Sequence, residues 1–157
     1  MEPRSVTHAT FTIERNYPAT PERVFAAFAD PAQKRRWFRE SEDAEAEEYE
    51  MDFRPGGQER SRFRSNQPSP VQGIPISNHT TYLDIVPGRR IVFAYTMALR
   101  ETRFSALLAT VEILPAGQET RLLFTEQAAF FEAADGPQLR EAGWRQLFGR
   151  LAAELAR

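Results

Sequence analysis

This 157-residue chain contains two histidines and no cysteine. The absence of cysteine removes thiolate catalysis, disulfides and most structural zinc sites together. Acid–base work would therefore fall to Glu126, His79 or Tyr95. Glu126 lies in the run Thr120–Gln127, where Leu122, Phe124 and Glu126 alternate with Arg121 and Thr125 and so point inward together. An inward carboxylate must be paired or face a wet cavity, because burial without a partner is costly; Arg103 and Tyr95 are the residues that could answer it. His79 sits in the strand Ile76–Val86 and reaches the interior if Leu83 and Ile85 point there. His8, at or just before the first strand, reads as exposed. Two histidines so far apart, with no pattern joining them, make a weak metal site. A run of carboxylates from Glu40 to Asp52 (Glu40, Glu42, Asp43, Glu45, Glu47, Glu48, Glu50, Asp52) could hold a divalent cation, but its spacing matches no calcium loop. The simpler reading is a solvated loop running into an edge strand, where charge blocks sheet-to-sheet aggregation. No Gly-x-Ser-x-Gly elbow, phosphate-cradling glycine loop or dinucleotide fingerprint is present, so no cofactor is expected. Gly56-Gly57 follows Pro55 and precedes a strand, which makes it a turn.

The elements that must position these residues follow from periodicity. Thr7–Tyr17 alternates as a half-buried strand, with Phe11 and Ile13 inward. Thr20 is a good N-cap and Pro21 a good first residue for a helix to about Ala29, with Val24, Phe25 and Phe28 inside. Asp30-Pro31 repeats the device for a second short helix ending near Trp37-Phe38. Met51 and Phe53 alternate with Asp52 and Arg54 as a strand, Pro55-Gly56-Gly57 turns it, and Gln58–Arg64 returns. Ser65–Pro75, rich in proline, is a long loop that could be a lid, a contact surface or simply mobile. Strands follow at Ile76–Val86, Arg89–Ala98, Phe104–Leu114 and Thr120–Gln127, with Ile91, Phe93, Tyr95, Leu107, Ala109, Val111 and Ile113 inward. From Gly136 to Arg157 the steps Trp144, Leu147, Phe148, Leu151 and Leu155 mark one helix about 27 Å long. Leu139 is a further large apolar residue of the segment, and Arg140, Glu141, Arg145, Gln146, Arg150 and Glu154 fill the face opposite the stripe.

That order is strand, two short helices, six-stranded antiparallel meander and long helix. An antiparallel sheet has one face to bury, and the last helix is the element large enough to cover it. The predicted fold is thus α+β, a single domain over residues 1–157 in which a curved sheet clasps the C-terminal helix: a helix-grip, with a cavity where the two diverge. Hydrophobic content of 41%, charged content of 27% and a net charge of −2 are ordinary for a globular chain. They give no reason to expect nucleic acid or an anionic membrane as partner. No apolar run reaches the length of a membrane span. Met1–Ser5 has no apolar region of a signal peptide, and a cytoplasmic home is expected.

The residues also carry a resemblance. Ala19-Thr20-Pro21-Glu22-Arg23-Val24-Phe25-Ala26-Ala27-Phe28, then Asp30-Pro31 and Arg36-Trp37-Phe38, resemble the opening of the activator of Hsp90 ATPase homologue family, part of the START-like (SRPBCC) superfamily. Met51–Gly57 resembles its Arg-Pro-Gly-Gly hairpin. Tyr82–Pro87 with Arg90–Phe93, Thr120-Arg121-Leu122 and Gly143-Trp144 resemble its later signatures. The resemblance implies a helix-grip fold and a range of activities: ligand binding, polyketide cyclase-like catalysis, resistance and co-chaperone action.

The expected task is binding a hydrophobic or aromatic small molecule, lipid- or polyketide-like, in the cavity. Its expected lining is Phe93, Tyr95, Leu107, Ala109, Phe124, Glu126, Trp144, Phe148 and His79. Gly143 weakens its helix by about 1 kcal/mol relative to alanine, so it leaves room either for a ligand or for a neighbouring side chain. The alternatives are a cyclase or hydrolase using Glu126, His79 or Tyr95, and a module stimulating an Hsp90-type ATPase through the acidic Glu40–Asp52 face. A homodimer could use that same surface.

Overall fold

The structure, a computed structural model, describes residues 6–41, 44–131 and 136–157. Its elements are β1 (Val6–Tyr17), α1 (Pro21–Ala29), α2 (Pro31–Phe38), β2 (Ala44–Met51), β3 (Gln58–Ser65), β4 (Ile76–Val86), β5 (Arg90–Leu99), β6 (Thr102–Ala116), β7 (Glu119–Phe131) and α3 (Pro137–Leu155). The seven strands form one antiparallel sheet in the order β1-β7-β6-β5-β4-β3-β2. Strands β2 to β7 follow one another as a meander, and β1 closes onto β7, with Tyr17 opposite Thr120 and Val6 opposite Phe131. With α3 packed on the sheet, this is the helix-grip architecture that the element order predicts. Among the described residues no helix is long and apolar enough to cross a membrane.

Local chemistry sets the helix starts. The Thr20 hydroxyl accepts from the Arg23 amide at 3.1 Å, and Pro21 opens α1. The Asp30 carboxylate accepts from the Ala32 amide at 3.2 Å, and Pro31 opens α2. Each cap satisfies one amide that the helix itself cannot.

The core lies on the inner face of the sheet. Ile13, Val111, Ile113, Leu122 and Phe124 are sealed from solvent, and α3 lays Trp144, Phe148 and Leu151 over them. The Trp144 and Phe124 rings sit 4.5 Å apart, and Tyr17 Oη donates to the Phe148 carbonyl at 2.9 Å. Burying each such side chain is worth about 1.5–3 kcal/mol. The end of α3 is clamped by charge: Arg36 grips the Glu154 carboxylate with two hydrogen bonds of 2.9 and 2.8 Å, and Arg23 donates to the Glu154 carbonyl at 2.9 Å.

Three expectations need correction. Arg140 and Glu154 are buried rather than on the solvent face of α3. They continue the stripe Arg140, Trp144, Phe148, Leu151, Glu154, and each charge is met by groups from distant elements. Leu139, which lies outside the apolar stripe, is 64% exposed. The acidic run forms a strand rather than leading into one. In β2, Ala44, Ala46, Tyr49 and Met51 are half-buried while Glu45, Glu47, Glu48 and Glu50 turn out, with a bulge between Ala46 and Glu48. Phe53, beyond its end, packs its ring against Phe25 and Tyr82. The strand is an edge, as its charge suggests, and its glutamates stand opposite arginines of β3: Glu45 by Arg64, Glu48 by Arg62, Glu50 by Arg60. Glu42 and Asp43 of that run lie outside the described residues. The last correction is that β7 runs on to Phe131, past the expected Gln127, because Phe130 continues its inward alternation.

Candidate functional site

Between the first two-thirds of α3, the end of α2 and strands β3 to β5 lies a cavity of about 220 Å³. Its apolar wall comprises Phe38, Phe63, Met97, Trp144, Leu147 and, at the rim, Leu139. Its polar wall holds Arg39, Asn78, Tyr95, Arg140, Gln146 and Arg150. Gly143 completes the helical side, and a Cβ built there would meet nothing within 4 Å.

Glu126 organises the back of this space from behind. It is sealed from solvent in β7, and its Oε1 accepts from Trp144 Nε1 at 2.9 Å and from the Tyr95 hydroxyl. One carboxylate oxygen thereby fixes the orientation of two cavity-wall side chains. Burial, and then the Glu126 charge, push the Tyr95 phenol well above its ordinary value, so it stays protonated and acts as a hydrogen-bond donor. Arg140 donates from Nη2 to Ser105 Oγ at 2.8 Å, with its guanidinium 5.2 Å from the Phe130 ring and 5.7 Å from Phe104.

Arg39, directly after α2, is held as firmly. Its guanidinium lies 3.8 Å from the Phe38 ring and 4.4 Å from Phe63, a cation–π sandwich. Nε donates to Ser61 Oγ at 2.7 Å and Nη1 to the Phe38 carbonyl at 3.0 Å. Burial, with nearby Arg150 adding to it, pushes its pKa down to about 10 despite the opposing pull of Glu59, which leaves it a cation at neutral pH.

A second buried carboxylate, Glu59 on β3, lies outside the cavity lining. It accepts from Lys34 Nζ at 3.0 and 3.2 Å, from Tyr49 Oη at 2.7 Å and from Tyr82 Oη at 2.5 Å. Burial pushes this carboxyl up, but the Lys34 charge and the three donors outweigh it and hold the group below its ordinary value. Burial pulls Lys34 down as well, more than Glu59 raises it. The cluster ties α2 to β2, β3 and β4, and its geometry is that of a structural ion pair with every carboxylate contact supplied.

Of the nine residues expected at the ligand, Tyr95 and Trp144 line the cavity and Glu126 stands directly behind them. Phe93, Leu107, Ala109, Phe124 and Phe148 belong to the packed core beyond. His79 is misplaced by the sequence reading: it is exposed on the outer face, where Nε2 meets Gln58 Oε1 at 3.0 Å. The reason is parity. In β4 it is Ile76, Asn78, Thr80 and Tyr82 that turn inward, and Leu83, which shares the face of His79, is 51% exposed. A bulge between Tyr82 and Asp84 then shifts the register and brings Ile85 back against the core. The proline-rich segment after β3 contributes nothing to the described lining. The sequence reading missed the arginines altogether. The available signal was Arg140 at a stripe position, four residues before Trp144.

Comparison with known proteins bears on this geometry. The family model for activator of Hsp90 ATPase homolog 1-like protein matches residues 18–156. The crystal structure of the Mll3558 protein of Rhizobium loti is 48% identical, covering 96% of this chain and 99% of that one with a TM-score of 0.84. A Rhizobium leguminosarum protein of known structure is 38% identical, covering 98% of this chain and 97% of that one with a TM-score of 0.88. DynU16, of the dynemicin biosynthetic locus, shares the fold at 18% identity and a TM-score of 0.64, covering 98% of this chain and 48% of that one. No curated protein matches the chain in sequence.

Proposed function

The chain belongs to the activator of Hsp90 ATPase homolog 1-like family of the START-like superfamily, and on that premise we propose that it binds a small hydrophobic or aromatic molecule between α3 and the sheet. The fold is in general a ligand-binding scaffold. The single observation that carries the reading is Gly143, a mid-helix glycine whose missing side chain leaves open space in the cavity wall. Nothing in the packing of α3 requires a glycine there, and the helix gives up about 1 kcal/mol relative to alanine by having one.

Size narrows the occupant. An apolar cavity of about 150 Å³ takes a benzene molecule, and drug-sized ligands need about 300–1,000 Å³. A space of about 220 Å³ suits one ring with a short substituent, or a short alkyl chain. Tyr95 and Trp144, both anchored on Glu126, offer a preformed aromatic surface rather than one that must be ordered on binding.

The test is a thermal-shift screen of single-ring and short-chain compounds on the wild type and on Gly143→Leu. Gly143 is an exposed lining residue, so the leucine adds bulk at the cavity's helical margin in a residue that favours the helix. Hits that raise the wild-type melting temperature and lose that effect in Gly143→Leu support the reading. A wild type that answers to none of these compounds, or hits indifferent to Gly143→Leu, overturns it.

A further inference from the structure

Resting on the binding reading above, we propose that the ligand is an acid: one carboxylate on an apolar body of about one ring. The chain as a whole carries a net charge of −2. The cavity reverses that sign. Arg39, Arg140 and Arg150 line it, and no aspartate or glutamate is present among the described lining residues. The lining is therefore not purely hydrophobic, and protein hydrogen bonds to Arg39 and Arg140 offset part of the cost of drawing these groups from water.

Two of these cations are fixed in place. Arg39 is clasped between the Phe38 and Phe63 rings and bonded to Ser61, and Arg140 is bonded to Ser105 among the Phe104, Phe130 and Tyr95 rings. Their side-chain entropy is spent in folding, so an anion arriving there need not order them. Arg150, half-exposed on α3, adds a third positive charge at the opening. Guanidinium groups match carboxylates through paired N–H donors, and the partly apolar walls strengthen the attraction relative to bulk water. Next to this charge lie Trp144, Leu147 and the exposed Leu139, which suit the apolar part of the same molecule. The charged and greasy halves of the lining are thus complementary to an amphipathic acid rather than to a neutral lipid.

The test uses probes that share a body and differ in the head: phenylacetate, phenylacetamide, phenylmethanesulfonate and benzylphosphonate, with hexanoate and hexanamide as an alkyl pair. Binding is measured by calorimetry or ligand-observed NMR on the wild type, Arg150→Gln, Arg150→Lys and Gly143→Leu. The acids are expected to bind about ten-fold tighter or more than their amides, as one charge-assisted hydrogen bond implies. Arg150→Gln is expected to reduce that preference by weakening the acids more than the amides, and Arg150→Lys to retain more of it. Raising the salt concentration weakens the acids alone. Amides binding as well as acids, or Arg150→Gln leaving the preference intact, overturns the acid assignment while the cavity reading stands. A strong preference for the phosphonate or sulfonate replaces the carboxylate with that head group and overturns the assignment as stated. A protein that dimerises and thereby excludes every probe gives the cavity to a second copy and also overturns it. Failure of every probe on the wild-type monomer, acid and neutral alike, strikes the underlying binding reading itself.

Discussion

The two halves of α3 are built on opposite plans. From Phe148 to Leu155 the helix is locked. Phe148 and Leu151 are sealed against the sheet, Tyr17 holds a backbone carbonyl, and Glu154 is gripped by Arg36 and approached by Arg23. From Pro137 to Leu147 the same helix borders the cavity: Arg140 and Trp144 turn inward, while Gly143 and Leu139 are exposed at its margin. Charge divides in the same way. At the locked end a carboxylate is answered by arginines. At the hollow end arginines line the wall. One helix thus does two jobs: its second half is sealed against the sheet, while its first half packs Trp144 and Arg140 inward and leaves a cavity beside them.

Four substitutions would break or sharpen that contrast. The largest effect is expected from Phe148→Ala, which removes a ring packed on Phe124 and Trp144. It should cost about 3–5 kcal/mol in chemical denaturation. Leu139→Ala at the hollow end should stay within about 0.5 kcal/mol, as an exposed position does. Equal losses at the two sites would erase the distinction.

The next effect is on acid stability. Hydrogen bonds from Arg36 hold the Glu154 carboxyl below its ordinary value of 4.5. A carboxyl lowered by folding contributes stability that is complete above its unfolded pKa and is lost as pH falls through the folded one. Wild-type stability should therefore decline as pH drops below about 4.5 more steeply than that of Glu154→Gln, which has no proton to take up there. Parallel decline of the two proteins in denaturant titrations between neutral and acid pH would show that the clamp is not what locks this end.

The smallest effect has the opposite sign. Gly143→Ala should raise stability by up to about 1 kcal/mol, because alanine favours the helix and its methyl group meets nothing. A loss of stability on thermal denaturation would mean that the space at Gly143 is already filled by neighbouring packing.

How far the sequence alone could reach differs between these features. The caps at Thr20 and Asp30 were legible because their partners lie two or three residues away. The inward faces of β5, β6 and β7 were legible because alternation is a local property, and even Glu126 was placed inside by it. What could not be read were residues whose position depends on partners far along the chain. Residue type marks Arg140 and Glu154 as outward although their spacing continues the stripe, and the partners that permit burial are remote: Ser105 lies 35 residues from the first and Arg36 lies 118 from the second. Arg39 gave no local sign of being caught between two rings. His79 failed for a different reason: Leu83 looked like an inward residue, and the bulge that sets the parity of β4 has no signature in its sequence.

The ladder of glutamates on β2 facing arginines on β3 carries a mechanical consequence. No residue of β2 is fully buried, so this strand adheres to the sheet through backbone hydrogen bonds, the Tyr49–Glu59 contact, opposed charges and only partial packing of Tyr49 and Met51 against the core. Opposed surface charges weaken as ions screen them, over about 10 Å at 0.1 M salt. Ala44 of β2 and Phe63 of β3 belong to the cavity wall. The chamber is therefore rigid where Glu126 anchors it and compliant along its outer margin, a vessel with one fixed side and one that can give to fit what enters.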